Sequence, residues 1–364
     1  MPAQGLGPLI APGQEETMRP MRAFAVVTLL AVLAACTTAT DSEVPTELTL
    51  LAHDSFAAGV NDETFAAFTE DTGIFVEVIA AGDAGAVVNR AVLTKENPLA
   101  DVLFGVDDTF LSRALDEGIF TEYRSANAGS VISDIRDSDP HVTPIDYGDV
   151  CFNYDKAWFE ESQIRLPDEL DDLRADIYAT RTTVEHPATS SPGLAFMLAT
   201  IDVFGEDEWL DWWADMRDAG LNVAADWDTA YYVDFTRYGG TSSIVMSYAS
   251  SPPAEVIFSG EPLDTAPTGV IEAGCFRQVE YAGVLQGTAH PAWAGELIDF
   301  MLSVEFQETI PLTWFVFPAN ADADLPEEFV EHTVIPESPT RLSPERIAEN
   351  RDRWIDEWIA VMEG

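Results

Sequence analysis

Thr189-Ser190-Ser191-Pro192-Gly193 runs directly into the apolar stretch 194–201, so hydroxyl residues stand where a helix should begin. Free backbone N–H groups and the positive end of a helix can hold an anion there. The same pattern also serves simple N-capping, and the residues alone leave both readings open. A second group pairs large rings with acids and hydroxyls at loop positions. It comprises Asp226-Trp227-Asp228, Ser247-Tyr248-Ala249-Ser250-Ser251-Pro252, and Trp314-Phe315 between Pro311 and Pro318. Aromatic faces beside carboxylates suit a flat cationic ring through stacking and cation–π attraction. Taken singly, each ring is more often core. Nothing in the chain reads as an enzyme signature: the nucleophile elbow, the phosphate-binding loop and the dinucleotide glycine pattern are missing. His53, His141, His186, His290 and His332 are scattered without metal-ligand spacing, so no metal and no cofactor is expected.

These loops need elements to hold them. Thr49-Leu50-Leu51-Ala52 reads as a strand, 61–72 as a helix with Phe65 and Phe68 on one face, and Phe75-Val76-Glu77-Val78-Ile79 as a second strand. A helix over 84–93, a strand over 100–105 and a helix over 109–117 stopped by Gly118 follow. Strands alternating with helices predict an α/β layer with a largely parallel sheet. Pro140 and Pro144 then punctuate a loop ahead of the strand carrying Cys151. The spacing predicts a helix over 206–219, with Trp209, Trp213 and Met216 on one core-facing side and Gly220 ending it. Ser243-Ile244-Val245-Met246 reads as a buried strand, and 293–302 as a helix after Pro291. A last helix opens at Ser343-Pro344, with Ile347, Arg351, Trp354, Trp358 and Met362 at helical spacing. Two α/β sections joined by a long return leg predict two lobes with a ligand cleft between them.

Cys36 fixes the compartment. It follows Leu33-Ala34-Ala35, behind an apolar run over 23–35 with Arg19 and Arg22 just upstream. A short positive segment, a short apolar segment and small residues before a cut make a secretory signal. A cysteine at the cut resembles a bacterial lipobox, which implies lipid on its sulfur and anchoring at the outer face of the cell membrane. The alternative is an ordinary signal with a chance cysteine. Residues 1–16 fit no signal region, so Met18 or Met21 is the expected start. Thus 1–35 reads as signal peptide with an upstream extension, and 36–47 as a polar tether.

Cys151 and Cys275 remain, and in an oxidising compartment they are expected to form a disulfide; two buried free thiols are the alternative. The chain carries 64 acidic against 18 basic residues, a formal net charge of −46 at pH 7. Lys95 and Lys156 are its lysines. Such a surface repels nucleic acid and anionic lipid and suits a salty habitat, while its field favours a cationic ligand.

One combination of stretches resembles a known family. It consists of His53-Asp54-Ser55-Phe56-Ala57, Asp83 with Asn89-Arg90, Ala100-Asp101-Val102-Leu103-Phe104-Gly105-Val106-Asp107 and Asp146-Tyr147-Gly148. Asn153-Tyr154-Asp155-Lys156, the 189–193 segment, Trp227, Ser247-Tyr248 through Ser251-Pro252 and Gln278-Val279-Glu280 continue it. Ile310-Pro311, Phe317-Pro318 and the Trp354–Trp358 helix complete it. Together they resemble the thiamine-binding proteins of bacterial ABC importers over essentially the whole mature chain.

The resemblance implies a type II periplasmic-binding fold, two α/β lobes with a hinge and an inter-lobe cleft. Lobe 1 would comprise 48–146 and 276–364, and lobe 2 would comprise 147–275. It implies capture of thiamine or its phosphate esters and delivery to an ABC permease by a monomeric, lipid-anchored, non-enzymatic receptor. By the same resemblance Trp227, Tyr248 and either Trp314 or Phe315 would border the ring system. Ser190, Ser191 and Gly193 would meet the hydroxyethyl or phosphate end, and Asp83 a polar ring edge. His53, Asp54, Ser55, Asp107 and Ser250 fall in the matching stretches and join the candidate ligand-binding set. The family often has a tyrosine where His53 stands. Related folds bind ferric ion through paired tyrosines, which Tyr231-Tyr232 superficially suggests, so a ferric or other small-solute receptor is the alternative. A secreted hydrolase is a more distant one.

Overall fold

The computed structural model describes residues 44–136, 139–261 and 263–364. The expected signal peptide, Cys36 and most of the tether lie outside the described residues. Among the described residues, nine strands form one mixed sheet: β1 Glu47–Ala52, β2 Phe75–Ala80, β3 Val102–Asp107, β4 Thr143–Asp155, β5 Thr182–Glu185, β6 Asn222–Ala224, β7 Ile244–Tyr248, β8 Thr268–Val284 and β9 Phe317–Pro318. The order is β2-β1-β3-β8-β4-β7-β5-β6, with β9 pairing β4. Parallel pairs occupy both flanks: β1 with β2 and β3, and β5 with β6 and β7. The centre is antiparallel, because β8 pairs β3 and β4, and β4 also pairs β7. The expectation of a largely parallel sheet therefore holds for the flanks and fails in the middle. There two long strands cross from one flank to the other, and apolar periodicity carries no sign of strand direction.

Alternation along the strands splits the core. Leu48, Leu50, Ala52, Val102 and Phe104 pack with Phe56, Phe65, Phe68, Leu297, Met301 and Phe306. Leu51 and Leu103 face the other way, into a cluster that runs on to Phe152, Phe196, Trp209, Trp212, Trp213 and Trp358. The predicted tryptophan face is core: Trp209, Trp213 and Met216 are buried, and so is Trp212. Two of the buried indole N–H groups find acceptors, Trp213 on Thr200 Oγ1 at 3.0 Å and Trp212 on the Leu170 carbonyl at 3.1 Å. Helix Trp209–Ala219 ends at Gly220, in the left-handed region as anticipated.

Two boundaries differ clearly from the sequence reading. The helix expected over 61–72 occupies only Ala66–Thr72. Asn61 Oδ1 accepts from Glu63 N, and Asn61 N donates to Thr64 Oγ1, so that side chain holds a turn instead. Pro144 lies inside β4, not in a loop, at a register break between Pro144 and Asp146. A proline cannot donate to the ladder, and a bulge relieves that demand. Helix Pro344–Met362, capped by Ser343, packs against both Leu111–Asp116 and Trp209–Ala219, so it touches elements of both flanks.

Candidate functional site

The carboxyl ends of the flank strands and the middle of β4 and β8 converge on a cavity of about 590 Å³. That size falls within the range typical of small-molecule sites. Of the thirteen candidate ligand residues, eight line it: His53, Ser55, Asp83, Ser191, Trp227, Tyr248, Trp314 and Phe315.

His53 follows β1 and caps helix Asp54–Gly59, its Nδ1 accepting from Phe56 N at 3.2 Å. Its Nε2 therefore carries the hydrogen and faces Glu280 Oε2 at 3.4 Å. Gly105 makes room for the ring: its φ is +90°, and a Cβ there would meet His53 Cδ2 at 2.1 Å. Burial alone would lower the His53 pKa, but the charge and hydrogen bond of Glu280, with the charges of Asp83 and Asp107, together outweigh it and the net direction is upward.

The aromatic wall is built from two sides. Trp227 stacks on Tyr231, centroids 5.1 Å apart at 16°, and donates through Nε1 to Ser247 Oγ at 2.9 Å. Tyr248 ends β7, and its hydroxyl donates to Gln278 Oε1 at 3.2 Å. Opposite, Trp314 stacks on Phe56 at 4.6 Å and 17° and is pinned by Nε1 to the Phe56 carbonyl at 3.0 Å. Phe315 also lines the cavity, with φ +55° and its ring edge-on to Phe258.

Five candidates lie behind the wall. Asp54 is exposed and accepts from Gly82 N at 2.8 Å, so its carboxylate ties two loops together. Ser250 is buried, with its hydroxyl on the Phe315 carbonyl at 2.5 Å. Gly193 serves packing: a Cβ there would strike the Glu185 carbonyl oxygen at 2.5 Å, so the helix can lie against β5 only without one. Ser190 is fully buried at the N-cap position of the helix, where its side chain makes no capping hydrogen bond. Asp107 is buried at the end of β3 and accepts from Thr109, Phe110, Gln278 and Ser191. The Ser191 hydroxyl is thus committed to Asp107.

The floor and rim contain residues outside the thirteen candidates. Asp146, Gln278 and Glu280 come from β4 and β8, and Tyr232, Tyr238, Asp228, Glu255 and Phe258 from the loops around Trp227 and after β7. Asp146 and Gln278-Val279-Glu280 stood in the matching stretches. Their meeting depends on the β4–β8 register, which the bulge displaces. Four cavity carboxyls, Asp83, Asp146, Asp228 and Glu280, face no lysine or arginine on the lining. Burial and then the neighbouring Glu280 push the Asp146 carboxyl well above the usual range. Glu255 is ion-paired with Arg237 at 3.0 Å and accepts from the hydroxyls of Tyr231 at 2.9 Å and Tyr238 at 2.8 Å. The arrangement suits a flat, positively charged molecule held between rings over an acidic floor.

Comparison with known proteins follows the same direction. The profile of a family described as bacterial extracellular solute-binding protein matches residues 97–336. A thiamine-binding periplasmic protein of Salmonella typhimurium is 30% identical over 313 residues, covering 85% of this chain and 92% of that one. One of Brucella suis is 28% identical over 317 residues, covering 86% and 91%. Among solved structures, a periplasmic thiamin binding protein superposes with a TM-score of 0.77 at 27% identity, over 87% of this chain and 96% of that one. Iron-bound HitA from Pseudomonas aeruginosa gives 0.72 at 20% identity, over 87% and 99%, a likeness of fold alone.

Proposed function

The chain belongs to the bacterial extracellular solute-binding protein family, and from that premise we propose that it captures thiamine or its phosphate esters and passes them to an ABC permease. The observation that carries the reading is the cavity itself: Trp227, Tyr248 and Trp314 around an acid-lined floor without lysine or arginine. A thiazolium cation with an aminopyrimidine ring offers the stacking faces, positive charge and N–H donors that such walls accept. Relatives named for thiamine binding support the same choice. The chemistry is capture and release, with no bond made or broken.

The lobes are taken as 48–146 with 276–364, and 147–275, joined by β4 and β8. Ligand bridging the lobes would favour the closed arrangement, which the permease reads. Cys36 would carry the lipid that holds the receptor, as a monomer, at the outer face of the membrane. Replacing Cys36 by serine should then release the protein into the medium, and retention with membranes would refute the anchor.

A ferric-ion receptor is the alternative. It would need the Tyr231 and Tyr232 phenolates, but Tyr231 donates to Glu255, and burial pushes its phenol well above the ordinary value. Among the described residues no group of three or more His, Cys, Asp or Glu is arranged to hold a metal ion. Calorimetric titration with thiamine and, separately, with ferric citrate tests the choice. Saturable heat with thiamine alone is expected, and saturation by ferric ion alone would overturn it.

A further inference from the structure

Asp146 and Glu280 are directly opposite each other on the two crossing strands. Both line the cavity. Asp146 is 4% exposed, and its Oδ1 has no hydrogen-bond partner. A second acid stands at cross-strand distance, and no lysine or arginine of the lining is there to neutralise either. A second negative charge so close to a buried carboxyl disfavours its ionisation. An orphaned oxygen on such a pair is also unexpected in a purely structural contact, where buried acceptors are normally matched.

We propose that Asp146 and Glu280 read the charge of the ligand: the pair holds one shared proton, and a cationic ring system settling over it expels that proton to solvent. This rests on the thiamine reading above and adds what the floor does. The balance is simple. A singly protonated pair carries one negative charge, so exchanging its proton for a monocation leaves the net charge of the filled site as it was. The cation supplies the attraction that lets both carboxylates ionise side by side.

Titratable groups face the pair from several neighbouring elements. His53 comes from the end of β1, Asp83 from the start of helix Ala84–Leu93, Asp107 from the end of β3 and Tyr248 from β7. Asp107 in turn adjoins Asp108, which feels Arg341. Of these, His53 is the cation already beside Glu280 when protonated, and so is one rival source of an expelled proton; the buried Asp107 is another. The upward shift of Asp146, from burial and then Glu280, agrees with a proton resident on the pair.

The test is calorimetry of the full receptor with thiamine at pH 6, in buffers of different ionisation enthalpy. The slope of heat against buffer enthalpy counts protons. Native protein should release about one proton per thiamine bound. Asp146→Asn and Glu280→Gln should each release close to none, while His53→Gln should keep most of the release. Infrared spectra of the native protein need no variant: a protonated-carboxyl C=O band should be present without ligand and bleach when thiamine is added. Thiamine binding with no proton released and no band bleached overturns the proposal and leaves the thiamine reading standing. Release lost in His53→Gln but kept in Asp146→Asn also overturns it, moving the proton to the imidazole. No binding at all overturns both.

Discussion

Gln278 Nε2 donates to Asp107 Oδ2 at 2.7 Å and so joins the crossing strand β8 to the end of β3. The same amide reaches Ser191 Oγ at 2.8 Å, and its carbonyl oxygen receives the Tyr248 hydroxyl. Asp107 therefore holds in place two residues that line the cavity without lining it itself. Asp107→Ala leaves buried donors unmatched and should cost about 1–3 kcal/mol of stability. Thiamine affinity should fall as well, because Ser191 and Tyr248 lose their register. Melting and calorimetry on one preparation check both, and unchanged affinity at lowered stability would confine Asp107 to a structural role.

Trp227 and Tyr248 should stack on the ligand. Trp227→Ala should weaken thiamine by roughly 1–3 kcal/mol, combining stacking and cation–π terms. Trp227 is half-buried, stacks on Tyr231 and donates to Ser247, so some ligand-free stability should be lost along with the affinity. A large loss of ligand-free stability with unaltered affinity would assign the ring to the core.

Trp314 and Phe315 are adjacent but differently held. Trp314 is stacked on Phe56 and hydrogen-bonded to its carbonyl. Trp314→Ala should lower both stability and affinity. Phe315 takes a left-handed backbone at φ +55°, where most side chains are strained. Phe315→Gly should remove that strain, leave or raise the melting temperature, and weaken binding alone. A fall in melting temperature for Phe315→Gly matching that of Trp314→Ala would remove the distinction.

The buried acids predict how the ligand-free protein responds to pH. Burial, opposed by the hydrogen bond from Thr109 and aided by Glu280, pushes Asp107 up to about 7. Asp146 moves in the same direction. A carboxyl whose folded pKa lies above its unfolded value near 4 binds more protons when folded, so stability falls as pH rises between the two values. His53, raised by Glu280 despite burial, adds stability at low pH that is lost as pH rises through its folded pKa. Both terms have one sign, so the melting temperature should decline from about pH 5 to pH 8. A melting temperature rising across that interval would contradict it.

Cys151 on β4 and Cys275 on β8 are paired as a disulfide. The enclosed segment is long, with a sequence separation of 124, and its loss should cost roughly 2–5 kcal/mol. Alkylation under non-reducing denaturation should modify neither cysteine. Two alkylated thiols would show that the bond does not form.

Much of the scaffold was legible because single residues announce it. Gly118 and Gly220 stop helices, Ser343-Pro344 starts one, and the tryptophans at helical spacing define a core face. The aromatic wall could be anticipated from rings set beside hydroxyls and prolines. The floor could not, because Asp146 and Glu280 are 134 residues apart and meet only through a bulged register. Ser190 and Gly193 do not line the cavity, and sequence does not show which residues of a helix start reach a cleft. Gly193 is there for Glu185 instead.

The course of β8 also has a kinetic side. β3 cannot gain its second neighbour until residues 280–284 have been made, long after the rest of its flank. The same late strand brings Gln278 and Glu280 to the cavity. Contacts so distant along the chain form slowly. During refolding, the rings of the other flank should therefore bury their surface before any binding activity returns. Tryptophan fluorescence would recover ahead of ligand capture, and the interval between the two would time the arrival of β8.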